Sequence, residues 1–335
     1  LGGLIWVNYR FCAQNPGGVE FLATWMRGRS FLVEGVSPYR ELVDLRIQEV
    51  VYGRPAQGGE PRTWSIYPFY AYLFFLPFYA LPKYLLARVV WMTFLELSLI
   101  VMSLLTLSLV DWRPRKKILV VYLVFTMLWY HALTALINGD VVILVALFLV
   151  SAFLAIKREQ DQVAGFMLAF STIKPELVIL VVVFVIWWAV YHNRWKLIRW
   201  YLGSQAMLII LGLIFVPGWI KQILWQIMRS FPYQNAVSLG QMLSDWIPGI
   251  ASQIKWGTPI LLGSILLFEW WRARQRDFPG FLWTALLTLV ITQWIGIPTN
   301  PENFLYLFPA LTLILAIWEK RCASYGTCVV LGTLF

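Results

Sequence analysis

Residues 170–180 read FSTIKPELVIL and place a charge pair around Pro175, inside an apolar run that covers residues 163–191. This run is too long for one helix across a hydrocarbon core and too short for two full ones, because one span needs about 20 residues. Proline lacks an N–H and disfavours helix in the residue before it, but it suits the first turn of a helix. The stretch therefore predicts two short helices that turn at Lys174-Pro175.

The composition of the whole chain is that of a membrane protein. Hydrophobic residues make up 60% of 335 residues, charged residues make up only 13%, and the mean hydropathy is +0.69. A soluble domain is about half apolar and about a quarter charged. Windows such as 89–110, 118–137 and 200–216 are long enough, or nearly so, to cross a bilayer. We therefore predict an all-α, polytopic transmembrane protein.

The net charge of +10 comes from short basic clusters that lie between apolar runs. These clusters are RPRKK (113–117), KRE (157–159), NRWK (193–196), RARQR (272–276) and EKR (319–321). Short loops rich in Lys and Arg mark the cytoplasmic side of a membrane protein, where anionic lipids also favour them. The distribution excludes nucleic acid as a partner and makes membrane lipids the expected surroundings.

With these clusters placed inside, alternation predicts one domain over residues 1–335, with about ten or eleven spans, two of them partial. The expected order is a partial first span (1–13), a first outer loop with amphipathic interfacial helices (14–66), an interfacial helix (67–82), central spans (85–216), a second outer loop (217–256) and C-terminal spans that look incomplete (257–335). Helices are expected at about 118–137 and 139–156, running out and back, with the outer turn at Asn138, Gly139 and Asp140.

The charges outside the basic clusters collect on the predicted outer face. They are Glu20, Arg29, Glu34, Asp140, Lys174, Glu176 and Glu302. Ionisable groups at membrane depth are costly, so they tend to mark a pathway, a site or a pair. Lys174 is a candidate for binding a lipid-linked phosphate with the amides of the helix that follows, or else it extends to the surface or pairs with Glu176.

Glu20 follows the turn NPGG (15–18) and is either a helix-start carboxylate or a general base. Asp140 is either an N-terminal cap of the next helix or a site residue. Arg27 and Arg29 either bind phosphate or face water. The three cysteines and two histidines show no metal spacing, and no cofactor is expected.

The landmarks, taken in order, resemble a known family. They are GVEFLATWMRGRSFLVEGVSPY (18–39), Tyr67-Pro68, the Asn138-Gly139-Asp140 turn, IKP (173–175), NAVSLGQML (235–243) and TNPENFLYLFPAL (299–311). This series is similar to that of the GT-C membrane glycosyltransferases, and within them to glycosyltransferase family 87, the polyprenyl-phosphate-mannose-dependent α-1,2-mannosyltransferases. Two positions differ from the family pattern: Glu20 stands where Asp is usual, and Gly139-Asp140-Val141-Val142 replaces Gly-Gln-x-Asn.

The resemblance implies inverting, metal-independent transfer of a sugar from a polyprenyl-phosphate donor to an acceptor glycan or glycolipid, on the outer face of a bacterial plasma membrane. It assigns the general base to Glu20 and donor-phosphate binding to Lys174 and Arg29. Substrate contacts fall on Trp25, Tyr39, Tyr67, Asp140, Asn235 and Asn303.

Two other classes of function stay open at this stage. A lipid transporter would need charges along a path through the bilayer, where the predicted spans carry only Glu96 and Glu269. A catalytically silent subunit of a membrane complex would co-purify with a fixed partner and transfer no sugar.

Overall fold

The computed structural model describes residues 1–57, 60, 67–230, 239–295 and 300–321. The described residues form α-helices and short 3-10 segments, with no strand among them, which confirms the all-α prediction. The first nine helices are α1 (Gly2–Gln14), α2 (Val19–Glu34), α3 (Glu41–Tyr52), α4 (Phe69–Phe74), α5 (Leu76–Tyr79), α6 (Tyr84–Leu109), α7 (Lys116–Leu128), α8 (Tyr130–Asn138) and α9 (Val142–Lys157).

The described residues of the second half of the chain are also helical. Its helices are α10 (Asp161–Ser171), α11 (Pro175–Tyr191), α12 (Trp195–Phe215), α13 (Trp219–Ser230), α14 (Leu239–Trp246), α15 (Ala251–Ala273), α16 (Phe278–Trp294) and α17 (Phe308–Arg321). The 3-10 segment Pro301–Leu307 leads directly into α17. The predicted partial span after residue 321, with Cys322 and Cys328, lies outside the described residues.

The chain divides into two compact units. The first contains Leu1–Leu97, Thr134–Val141 and Gln205–Gln234, and the second contains Ser98–Leu133, Val142–Ser204 and Asn235–Phe335. Residues far apart in sequence thus belong to the same unit. The prediction of a single domain stays a prediction.

The turn predicted from the opening stretch is confirmed. Helix α10 ends at Ser171, and α11 begins at Pro175, with Lys174 as the residue that precedes its first turn. The missing proline N–H falls where a helix leaves its N–H groups without intrahelical partners, so Pro175 costs the backbone no hydrogen bond there.

Three helical segments are long and apolar enough to cross a bilayer: α6, α12 and Pro301–Arg321. Helices α7 and α8 together form a fourth candidate, bent by 50° at Trp129, where one helix was predicted over 118–137. The shorter apolar helices are α9, α11 and α16. A polytopic membrane protein is therefore confirmed. Three or four segments among the described residues meet this criterion of length and composition, against ten or eleven predicted spans, two of which were expected to be partial.

The first predicted outer loop contains two helices, α2 and α3, as expected. The single interfacial helix predicted over 67–82 is wrong. This stretch forms α4 and α5, of six and four residues, because Pro77 occupies the first turn of α5 and cannot continue α4. Its tyrosines at 70, 72 and 79 are buried rather than displayed on a surface.

The second predicted outer loop is also helical. Helix α13 contacts the first loop through Gln222, which accepts a hydrogen bond from Ser37 Oγ (2.7 Å), and through Gln226, whose Nε2 donates to the Tyr39 carbonyl (2.9 Å). Its opposite face is exposed and apolar, with Leu224, Trp225 and Met228. Helix α15 begins at Ala251, inside the predicted loop, and the predicted loop end at residue 256 stays a prediction.

Close packing of α2 on α5 depends on a glycine. A Cβ at Gly28 would lie 2.1 Å from Cδ2 of Tyr79, and the Tyr79 ring is fully buried. Only a residue without a side chain allows the ring to lie against the helix backbone at this distance.

We expect Gly28→Ala to lower the free energy of unfolding by about 1–3 kcal/mol, because the ring must be displaced. Thermal unfolding of the purified protein in detergent checks this. Gly203→Ala is the matched control, because this helical position has no atom within 4 Å of its added Cβ. Equal melting temperatures for the two variants would contradict the packing described here.

Candidate active site

Glu20 lies in the first turn of α2, directly after a turn made by two glycines. Gly17 and Gly18 have φ values of +153° and +75°, which favour glycine, and Gly18 caps the helix. The Glu20 side chain is half-buried. A carboxylate in the first turn of a helix interacts favourably with the helix dipole.

The predicted Asn138-Gly139-Asp140 turn packs against this same part of α2. Gly139 has a φ of +71°, and a Cβ at this position would lie 2.6 Å from Cβ of Phe21. The Asp140 N–H donates to the Ala135 carbonyl (2.9 Å), which closes the end of α8, and Asp140 is buried. Phe21 and Gly139 are thus in close contact. Glu20 precedes Phe21 and Asp140 follows Gly139 in the chain, so each acidic residue is next in sequence to this contact.

Two other predicted residues of the first unit, Trp25 and Arg29, donate hydrogen bonds to backbone carbonyls. Trp25 Nε1 donates to the Leu81 carbonyl (3.3 Å), and Arg29 Nη1 donates to the carbonyls of Tyr79 and Leu81 (both 3.2 Å). The Arg29 guanidinium also lies 5.3 Å from the Trp25 ring centroid. Arg29 therefore holds the segment after α5, and its role in binding phosphate stays a prediction.

Tyr39 and Tyr67 are joined to each other. The Tyr39 hydroxyl donates to the Tyr67 carbonyl (2.7 Å), and both residues are buried. This bond connects the segment between α2 and α3 to the start of α4. The role in substrate binding predicted for both tyrosines stays a prediction.

One interpretation of the sequence had Arg27 facing water, but the side chain is buried. Its Nη1 lies 2.6 Å from Asp44 Oδ1 and donates to the Pro38 carbonyl (2.9 Å), and both charged side chains are buried. Burial raises the pKa of Asp44, and Arg27 only partly opposes this effect. The pair connects α2 to α3, and desolvation cancels much of its Coulombic gain.

In the second unit, the structure joins two predicted residues that are far apart in sequence. Lys174 Nζ donates to Asn303 Oδ1 (2.7 Å), and both side chains are buried. Burial excludes a Lys174 side chain that extends to the surface. Asn303 belongs to the 3-10 segment Pro301–Leu307, and His131 Nδ1 lies 2.6 Å from the Pro301 carbonyl of the same segment.

Asn235 lies outside the described residues. Sequence analysis missed Arg88, which is buried and whose Nη1 donates to the Asn15 carbonyl (2.7 Å). The signal that could have drawn attention to it is a charged residue one turn inside a long apolar helix. Among the described residues, no group of three or more His, Cys, Asp or Glu could hold a metal ion.

The fold and these residues define an integral membrane protein with buried charged side chains near helix ends. A family model of glycosyltransferase family 87 matches residues 65–293, which is more than half of the chain, so the chain belongs to that family. It is therefore a membrane glycosyltransferase by family. Searches of curated proteins and of solved structures give no match.

The match divides the predicted site residues into two groups. Those within it are Tyr67, Asp140, Lys174 and Asn235, and those outside it are Glu20, Trp25, Arg29, Tyr39 and Asn303. The candidate base thus comes from a part of the chain that the family model does not cover. Its assignment depends on the resemblance of residues 18–39 and on the packing of α2.

We expect Asp44→Asn to destabilise the protein by about 3 kcal/mol or more, because it leaves the Arg27 guanidinium buried without its counter-ion. The double variant Arg27→Met/Asp44→Leu removes both charges and should recover most of this loss. Thermal unfolding of the three proteins in one detergent measures the difference. If the double variant is as unstable as Asp44→Asn, the loss is not that of an uncompensated charge.

Proposed function

We propose that this protein transfers a hexose, mannose by its resemblance, from a polyprenyl-phosphate donor to a hydroxyl group of an extracytoplasmic glycan or glycolipid. Membership of glycosyltransferase family 87 supports the reaction class. The observation that carries the choice of donor is the buried Lys174, which is held by Asn303 at the start of α11.

Lys174 directly precedes the first turn of α11, and its side chain is buried. Its Nζ donates to Asn303 Oδ1, which orients the ammonium at the N-terminal end of the helix. An ammonium and the N-terminal amides of a helix together favour a phosphate group.

A polyprenyl chain stays in the bilayer, so its phosphate must be bound near the membrane boundary. In the reaction, the acceptor oxygen attacks the anomeric carbon, and the bond from that carbon to the phosphate oxygen breaks. The polyprenyl phosphate leaves with the electron pair, and Lys174 stabilises its charge. Attack opposite to the leaving group inverts the anomeric configuration.

Glu20 takes the proton of the attacking hydroxyl in this scheme. A hydroxyl group is a weak nucleophile, and a carboxylate within hydrogen-bond reach lowers the barrier by removing its proton. Asp140, close to the same packing contact, accepts a hydrogen bond from a neighbouring hydroxyl of the acceptor. The partly buried position of Glu20 suits a base that must meet a substrate.

The transporter hypothesis finds less support. Of the two acidic residues within predicted spans, Glu96 accepts a hydrogen bond from Asn8 Nδ2 of α1 (2.7 Å), and Glu269 pairs with Arg272 on its own helix (2.9 Å). Both carboxylates thus have partners that explain them as contacts within or between helices, rather than as steps on a path through the bilayer.

Glu20→Gln should lower kcat for sugar transfer by about 10²–10⁴-fold, because the amide cannot accept the proton. Transfer from a radiolabelled polyprenyl-phosphate mannose, followed by extraction of the lipid product, measures it. Donor binding should be unchanged. Glu34→Gln, which removes an exposed carboxylate at the other end of α2, is the control. Normal turnover by Glu20→Gln would show that another group is the base.

Lys174→Gln should weaken donor binding by about tenfold or more, which corresponds to about 1.4 kcal/mol or more, because one positive charge is lost near the phosphate. Titration of a non-hydrolysable polyprenyl-phosphonate sugar against the purified protein measures the affinity. Lys221→Gln, at an exposed position, serves as the control. An unchanged affinity in Lys174→Gln would assign the phosphate to other residues.

A further inference from the structure

One face of α6 contacts the turn that precedes Glu20. Tyr84, Arg88 and Trp91 are spaced four and three residues apart and therefore share this face. The Tyr84 hydroxyl donates to the Gly17 carbonyl (2.7 Å), and Arg88 Nη1 donates to the Asn15 carbonyl (2.7 Å). The start of α6 thus fixes the turn between α1 and α2.

The same face contacts the turn that contains Asp140. Arg88 Nη2 donates to the Ile137 carbonyl (3.3 Å), and Trp91 Nε1 donates to the Gly139 carbonyl (2.8 Å). The Trp91 ring also stacks on Phe21, with centroids 5.3 Å apart. Arg88 therefore donates with one nitrogen to each of two segments that are more than 100 residues apart in the chain.

The two segments have little room to move around Arg88. A Cβ at Gly18 would lie 2.7 Å from Arg88 Nε, so the backbone passes directly over the guanidinium. The Arg88 side chain is buried, which leaves water little access to replace its hydrogen bonds. A planar guanidinium presents donors in fixed directions and can hold two carbonyls at a set separation, whereas a lysine ammonium cannot.

We propose that Arg88 is a positioning residue that fixes Glu20 relative to Asp140. This inference rests on the proposed function, in which Glu20 removes a proton from the acceptor hydroxyl and Asp140 holds the acceptor. Arg88 itself touches no substrate. It acts on the catalytic step by holding the two backbone segments from which the carboxylates extend.

Amide hydrogen exchange tests the positioning without reference to activity. In Arg88→Met, amides of residues 15–22 and 137–141 should both exchange about tenfold faster or more, because their shared donor is lost. Arg88→Lys should restore protection to one segment at most. Arg27→Met is the matched control, since it removes a buried arginine of the same unit that bonds to Pro38 and Asp44 instead. It should lower thermal stability without loosening residues 137–141.

Steady-state kinetics then test the consequence for the reaction. Arg88→Met should lower kcat by about 10²-fold while the KM for the donor changes little, because only the acceptor and base are misplaced. Arg88→Lys should recover part of kcat. Arg27→Met, assayed below its melting temperature, should retain kcat.

Three results would overturn the inference. These are unchanged exchange in both segments, faster exchange with normal kcat, or a rise in the donor KM equal to the fall in kcat. If the wild-type protein transfers no sugar from any polyprenyl-phosphate donor, the proposed function fails, and the role of Arg88 in catalysis fails with it. The exchange data then show separately whether Arg88 holds the two segments together in a protein of different function.

Discussion

Backbone carbonyls at the ends of helices must find hydrogen-bond donors, and in an apolar protein water is a poor source of them. Four basic side chains meet this need. Arg88 reaches the ends of α1 and α8, Arg29 the end of α5, Lys157 the end of α6 and Arg194 the end of α9. Each cation also suits the negative end of the helix dipole. These bonds tie helix ends to neighbouring elements.

Lys174 differs from these four cations in both respects. It stands at the start of a helix, and its ammonium donates to the side chain of Asn303. Of these five basic residues, Arg88 and Lys174 are buried, whereas Arg29, Lys157 and Arg194 are partly exposed.

The sequence predicted the features that depend on local chemistry. The turn at Lys174-Pro175 was correct because proline determines the backbone on both sides of it. The helices α4 and α5 were merged, although Pro77 marks their boundary, because the run around it is uniformly apolar. The bend at Trp129 has no proline or glycine at it and could not be predicted from residue type.

The candidate site was predicted less completely. Lys174 and Asn303 were both selected, but their contact joins positions 129 apart in sequence, which periodicity does not show. The same limit applies to the packing of Phe21 on Gly139. Arg88 was missed because one arginine near the start of an apolar helix has the pattern of a membrane-boundary residue. Arg88 stands out because it donates to the carbonyls of Asn15 and Ile137. Every residue has a backbone carbonyl, so residue types do not indicate which carbonyls Arg88 contacts.

Helix α13 has exposed residues on one side and hydrogen bonds to the first loop on the other. The face with Leu224, Trp225 and Met228 is apolar and exposed, while Gln222 and Gln226 on the other face bond to Ser37 and Tyr39. The exposed apolar residues and the two glutamines that bond to the first loop thus belong to one helix. The choice of detergent or lipid during purification bears directly on this loop, and a preparation with intact spans can still differ from the native protein near Tyr39.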